Sequence, residues 1–195
     1  MSVREAVLAR VRANRPKGEY ALPGLPKFAL AQPDGLVASF GAALAGMGGK
    51  LIIPTATEDA TEVTRRQLEG AGVVCSAVPE IVGNRDLGQV RQPRDLADVD
   101  VAVVRAVLGV AETGSVLFTE SELKVNTVAY LAQHLVVLLG REAIVPGIQD
   151  AYQHPCFRSA HYAVFHTGPS ATADIEGVLI HGAQGVRSLT VVLTA

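Results

Sequence analysis

The chain has 195 residues, a net charge of −2 and a mean hydropathy of +0.29. That length suits a single core, which buries roughly 70% of the unfolded surface without staples. A near-neutral chain with 5% aromatic residues and no Trp lacks the basic footprint of a nucleic-acid binder, and its apolar runs, broken by Arg105 and by Gly140-Arg141-Glu142, fall short of the roughly 20 residues of a membrane span.

Ser2-Val-Arg-Glu5 predicts a capping box. The helix it starts runs to about Asn14 and carries Val3, Val7, Leu8 and Val11 on one face. Four arginines and no apolar stretch in residues 1–16 do not make a secretory leader, which points to the cytoplasm. Four prolines in residues 15–33 predict an extended arm that wraps the domain. Whether the arm stays on its own subunit, and hence whether the chain is a homo-oligomer, is left open. The expected organisation is a helix and Pro-rich arm over 1–33 and one α/β domain over 34–195.

Asp34 is the expected cap of a small-residue helix over 35–47. Residues 50–54 read as a short buried strand, 57–69 as a helix stopped by Gly70 and Gly72, and 73–75 as a second strand. A third apolar strand covers 101–104. Short continuous apolar strands alternating with helices indicate a parallel sheet covered on both faces. Beyond residue 105, strands at 116–119, 135–139, 162–166, 178–181 and 189–194 outnumber helical pieces at 127–132 and 146–152. The fold class expected is α/β, an open Rossmann-like sheet with an added β-rich edge.

Cys75 and Cys156 are too few and too far apart for a disulfide framework. They read as free thiols and cannot hold an iron–sulfur cluster alone, since clusters usually take four cysteine ligands. His154, Cys156, His161 and His166 match no compact zinc spacing, so no metal site is expected.

Two segments offer chemistry. Ala111-Glu-Thr-Gly-Ser115 lies between two strands. Gly114 would allow a ligand close to the backbone, Thr113 and Ser115 supply donors, and Glu112 is a candidate base or nucleophile; a plain turn with a solvated Glu fits equally. Gly168-Pro-Ser-Ala-Thr-Ala-Asp-Ile-Glu-Gly177 follows a strand and reads as a turn entering a helix. Ser170 and Thr172 are candidate N-caps there, and free amides would cradle an anion, although Asp174 and Glu176 could equally cap the first turn. His134, at the entrance of an apolar strand, is a candidate catalytic or binding imidazole. No GxGxxG, P-loop or Gly-x-Ser-x-Gly elbow is present.

Val110-Ala-Glu-Thr-Gly-Ser-Val116, His134-Leu-Val-Val, Gly168-Pro-Ser-Ala-Thr-Ala-Asp-Ile-Glu176 and residues 182–194 occur in the order seen in the lactate-utilisation protein C, or LUD-domain, family. The chain resembles that family strongly from about Val101 onward and more weakly over 28–78. It departs at Gly182-Ala-Gln-Gly-Val186, where Gln184 and Val186 replace the family's usual His and Pro. The resemblance implies a fold similar to the group of glucosamine-6-phosphate deaminase, ribose-5-phosphate isomerase and CoA-transferases (the NagB/RpiA/CoA-transferase-like fold). It also implies a part in oxidising L-lactate to pyruvate beside partner subunits that carry the iron–sulfur clusters, with no cofactor on this chain.

The expectation is therefore an accessory, non-redox subunit. Its small anionic ligand would lie between Glu112, Thr113, Gly114 and Ser115 on one side and Gly168, Pro169, Ser170, Thr172, Asp174 and Glu176 on the other, held by the amides of Gly114, Ser115 and Ser170, with His134 assisting. The alternatives are an enzyme using Glu112 in CoA-transferase-like or isomerase-like chemistry, by fold analogy, and a structural assembly protein.

Overall fold

The computed structural model describes residues 2–18, 20–21, 23–24, 26–28, 34–174 and 176–195. Helix α1 (Val3–Ala13) begins at the expected capping box, with Ser2 and Glu5 each bonded to the other's backbone amide. Much of the Pro-rich arm lies outside the described residues, but residues 26–28 dock on the chain's own α6 (Ile148–Ala151). The Phe28 amide donates to Gln149 Oε1 at 3.3 Å, Gln149 Nε2 donates to the Pro26 carbonyl at 3.0 Å, and Lys27 pairs with Asp150 at 2.5 Å.

Helix α2 (Leu36–Gly46) starts at Gly35, which has φ +84° and offers no side-chain cap. The expected cap by Asp34 is thus absent, because the chain enters the helix one residue later. Next come β1 (Lys50–Ile52), α3 (Ala60–Arg66), capped by Asp59 accepting from the Thr61 amide at 3.1 Å, β2 (Val74–Ser76) and β3 (Val101–Arg105). β4 (Leu108–Val110) and β5 (Ser115–Thr119) form a hairpin, followed by α4 (Glu120–Leu123) and α5 (Val128–Leu131). β6 (His134–Gly140), β7 (Ile144–Val145), α6, α7 (Cys156–Ser159) and β8 (Ala163–His166) precede a short hairpin of β9 (Ala171–Thr172) and β10 (Ile180–His181). The last strand is β11 (Ser188–Thr194).

Five strands form a parallel sheet in the order β1-β11-β6-β3-β2. After β1 the chain crosses to the far edge at β2. It then steps back through β3, β6 and β11, so the last strand is inserted beside the first. Alternate residues of these strands feed two cores. Val101, Val103, Val136, Leu138 and Val192 pack with Val63 of α3, whereas Ala102, Val104, Leu135, Val137, Leu139, Val191 and Leu193 pack with Phe40 and Leu44 of α2. Burial on both faces is why these strands read as unbroken apolar runs.

The expected β-rich addition is a sheet of its own, β7-β4-β5-β8, lying over α2. Val116 and Phe118 face the α2 side, and Leu108, Val110 and Leu117 face α6, Phe157 and Phe165. The segment after Gly168 is not a helix entry: β9 and β10 pair as a hairpin around it. With no helix there, the expected amide cradle and N-cap roles of Ser170 and Thr172 do not arise.

Gly114 joins the second sheet to α2. Its φ is +67°, and a Cβ there would lie 2.2 Å from the Leu44 nitrogen and 2.5 Å from its Cα, so only glycine allows this approach. Gly114→Ala should therefore cost roughly 2–4 kcal/mol, from φ strain plus overpacking against a backbone, read as a lowered urea midpoint. Gly46→Ala, which meets no atom within 4 Å, should be neutral or stabilising in the same assay.

Candidate functional site

The carboxyl end of β8 delivers His166 and Thr167 to a turn through Gly168, Pro169 and Ser170. That turn is pinned on both sides. A Cβ on Gly168 would come within 2.2 Å of the Met47 carbonyl oxygen just past α2. The Ser170 amide donates to the Val186 carbonyl at 2.9 Å, and Gly182 N–H donates to the Ser170 carbonyl at 2.7 Å. The result is a cavity of about 270 Å³. Tyr130 of α5, His166, Thr167, Ser170 and Gln184 contribute its polar groups, and Pro169 and Val186 belong to its apolar wall.

His166 is the unusual group in this wall. Its ring packs edge-on against Phe118 at 5.3 Å and tilted against Tyr130 at 4.9 Å. Its Nε2 is buried, and among the described residues it has no hydrogen-bond partner. Burial among rings lowers the imidazole pKa to about 4, because a low-dielectric setting disfavours the charged form. The imidazole is therefore neutral at physiological pH, with one nitrogen unused. Tyr130 hydrogen-bonds Tyr162 through their hydroxyls, and burial raises its pKa.

Behind the cavity runs a chain of hydroxyls. Ser115 Oγ lies 2.7 Å from Thr113 Oγ1 and 2.5 Å from Thr167 Oγ1. The two segments singled out in the sequence thus meet through Thr113, Ser115 and Thr167. Their backbone amides are spoken for, however: Gly114 N–H donates to the Val110 carbonyl at 2.9 Å, and Ser170 N–H is used as above. An anion held by the Gly114 and Ser170 amides is not what the fold provides. Of the expected ligand residues, Gly168, Pro169 and Ser170 line the cavity. Thr172, Asp174 and Glu176 belong to the outlying hairpin, where the Asp174 amide donates to Thr172 Oγ1 at 3.3 Å.

Glu112 and His134 are not brought together. Glu112 Oε2 accepts from the Ile148 amide at 2.9 Å, tying the β4–β5 turn to the start of α6. His134 sits at the amino end of β6 with Nδ1 2.8 Å from Ser188 Oγ, and lines a different depression with Arg187 and Asp100. A larger cleft of about 650 Å³ lies at the carboxyl ends of the parallel strands, where open α/β sheets commonly bind ligands. Arg105 pairs with Glu80 there, and a hydrogen bond from Arg66 brings the Glu58 carboxyl down to about 2, whereas Arg141 in the same lining makes no ion pair among the described residues. Among the described residues no three His, Cys, Asp or Glu side chains converge as a metal site requires, no helix is long and apolar enough to cross a membrane, and Cys75 and Cys156 are both free thiols.

The LUD domain model matches residues 54–194, which take in the parallel sheet from α3 onward, the second sheet and the cavity. The chain belongs to the LUD domain family. It is also similar to lactate utilization protein C of Geobacillus sp. (strain WCH70), 29% identical over 100 residues, which are 48% of this chain and 42% of that protein. The chain thus spans less than half the length of this relative. A crystal structure of a DUF162 family protein from Deinococcus radiodurans superposes with a TM-score of 0.62 at 13% identity, covering 82% of this chain and 96% of that one. This second likeness is one of fold. In this LUD domain Gln184 lines the same cavity as His166. Sequence reasoning placed His166 only in a loose metal-like group and passed over Tyr130. The signal available was a histidine closing an apolar strand directly before the Gly-Pro-Ser turn.

The buried imidazole makes stability depend on pH. Below about 6.5 the unfolded histidine takes a proton, while the folded one resists until about 4. Stability should therefore fall as pH drops through that window, by up to about 3 kcal/mol from this group. In urea unfolding at pH 7 and pH 4, His166→Gln should lose less stability than the parent by about that amount, whereas equal losses would mean that His166 titrates normally.

Proposed function

We propose that this LUD domain serves lactate oxidation as a subunit without a redox centre of its own, and that it binds a small hydroxy- or oxo-acid in the His166 cavity. The observation that carries the site is a cavity lined by His166, a histidine whose buried Nε2 has no partner among the described residues, since an unmet buried polar group is costly unless something satisfies it. The cavity's size suits a ligand smaller than the usual contents of pockets of about 300–1,000 Å³. Its hydroxyl, amide and imidazole groups can hydrogen-bond a carboxylate, a hydroxyl or a ketone, and its apolar wall suits a short carbon chain. The likeness to lactate utilization protein C supports the pathway. Two cysteines, 75 and 156, are fewer than a cluster's usual four ligands, so partner subunits would carry the iron–sulfur clusters and the electrons.

Calorimetry with L-lactate and pyruvate, against phosphate as a control, tests the site. The account expects one of the two acids to bind, and His166→Phe to weaken it by roughly 3- to 10-fold, the worth of one net hydrogen bond. Absence of binding by the parent protein, or unchanged affinity in the variant, would overturn the ligand assignment. Deleting the gene should abolish growth on L-lactate as sole carbon source, with the restored gene as control, and normal growth would overturn the pathway.

A further inference from the structure

Helix α1 and the β9–β10 hairpin both stand on the surface, and each lacks what would stabilise it alone. All residues of α1 are exposed, with Val3 at 83%, Val7 at 54% and Val11 at 62%. Among the described residues it makes no hydrogen bond or ion pair outside residues 2–15. A helix of 11 residues is shorter than the 12–15 at which isolated helices become even marginal in water, and proteins normally stabilise such helices by packing an apolar face. The Val3, Val7, Leu8, Val11 face is built for that and stands exposed among the described residues.

The β9–β10 hairpin pairs only Thr172 with Ile180 and Ala171 with His181, and two-stranded hairpins are marginal by themselves. Its loop displays Val178 and Leu179, each 60% exposed, beside the exposed carboxylates of Asp174 and Glu176. The chemistry of the two elements is complementary. α1 and the residues just after it carry Arg4, Arg10, Arg12, Arg15 and Lys17 against Glu5, while the whole chain has a net charge of −2, so the rest is acidic.

We propose that α1 of one copy packs on the β9–β10 hairpin of a second copy, and that the second returns its own helix in a two-fold exchange. Charge selects the occupant: a basic amphipathic helix meets an acidic, apolar loop on an otherwise acidic body. A symmetric exchange satisfies both helices and both hairpins at once, as a closed two-fold interface does. The arm permits it. Residues 26–28 are fastened to α6, and the 14–25 segment can extend up to roughly 40 Å from that anchor. The hairpin's base includes Ser170, whose carbonyl accepts from Gly182, so the exchange also braces one wall of the His166 cavity. The inference itself does not depend on what that cavity binds.

Light scattering after gel filtration of the full chain, at tens of micromolar, decides it. The parent should be a dimer. Val7→Asp with Leu8→Asp, Arg4→Glu with Arg10→Glu and Arg12→Glu, and Asp174→Lys with Glu176→Lys should each give monomers with unchanged far-UV circular dichroism of the body. Combining the arginine and carboxylate reversals in one chain should restore the dimer. A monomeric parent would overturn the proposal, whether α1 folds onto its own hairpin or binds elsewhere. So would a dimer insensitive to all three variants. A monomer that sediments with phosphatidylserine vesicles, and loses this with Leu8→Asp, would assign the helix to an anionic membrane surface instead.

Discussion

Two sheets meet over the backbone of α2, and the rest of the molecule is arranged by that contact. Seven of the helix's 11 residues are small, Ala38, Gly41, Ala42, Ala43 and Ala45 among them, with Phe40 and Leu44 as its buried anchors. Its slimness lets the β4–β5 turn come down until Gly114 lies against Leu44, and lets Gly168 lie against Met47 one turn further on. Two glycines from distant parts of the sequence thus read the same stretch of helix. The segments around them, 111–115 and 167–170, are held side by side and joined by the Thr113–Ser115–Thr167 hydroxyls.

This constraint also explains where the candidate site lies. With the glycine backbones pressed on α2 and the Gly114 and Ser170 amides engaged, the inner side of these turns is closed to ligand. What remains open is the outer side of the 167–170 turn, where α5 and the approach to β11 complete the wall. There the fold leaves His166 neutral and short of one partner. Glu112 lies on the other flank of the second sheet and holds the start of α6, as a structural tie would.

Much of the fold could be read from the sequence. The strands at 101–105, 134–140 and 188–194 announced themselves as continuous apolar runs because both of their faces are buried. The order of the sheet did not, since nothing local says that β11 enters between β1 and β6. The two segments of interest were legible as Gly-containing turns after strands, but Gly114 was read as making room for a ligand, and it makes room for a helix. A sequence cannot show which backbone a glycine faces. The helix expected after Gly168 failed for a related reason. Ser, Thr, Asp and Glu serve a hairpin loop as readily as a helix start, and pairing of Thr172 with Ile180 decided between them.

Histidine-selective NMR, following the His166 ring from pH 3 to 8 with and without L-lactate or pyruvate, addresses the assignment of this site. The account requires a midpoint near 4 for the free protein, a neutral ring at pH 7, and an Nε2 resonance that moves when the acid is added. A midpoint near that of a free imidazole, about 6.5, with no response of Nε2 to either acid, would contradict it.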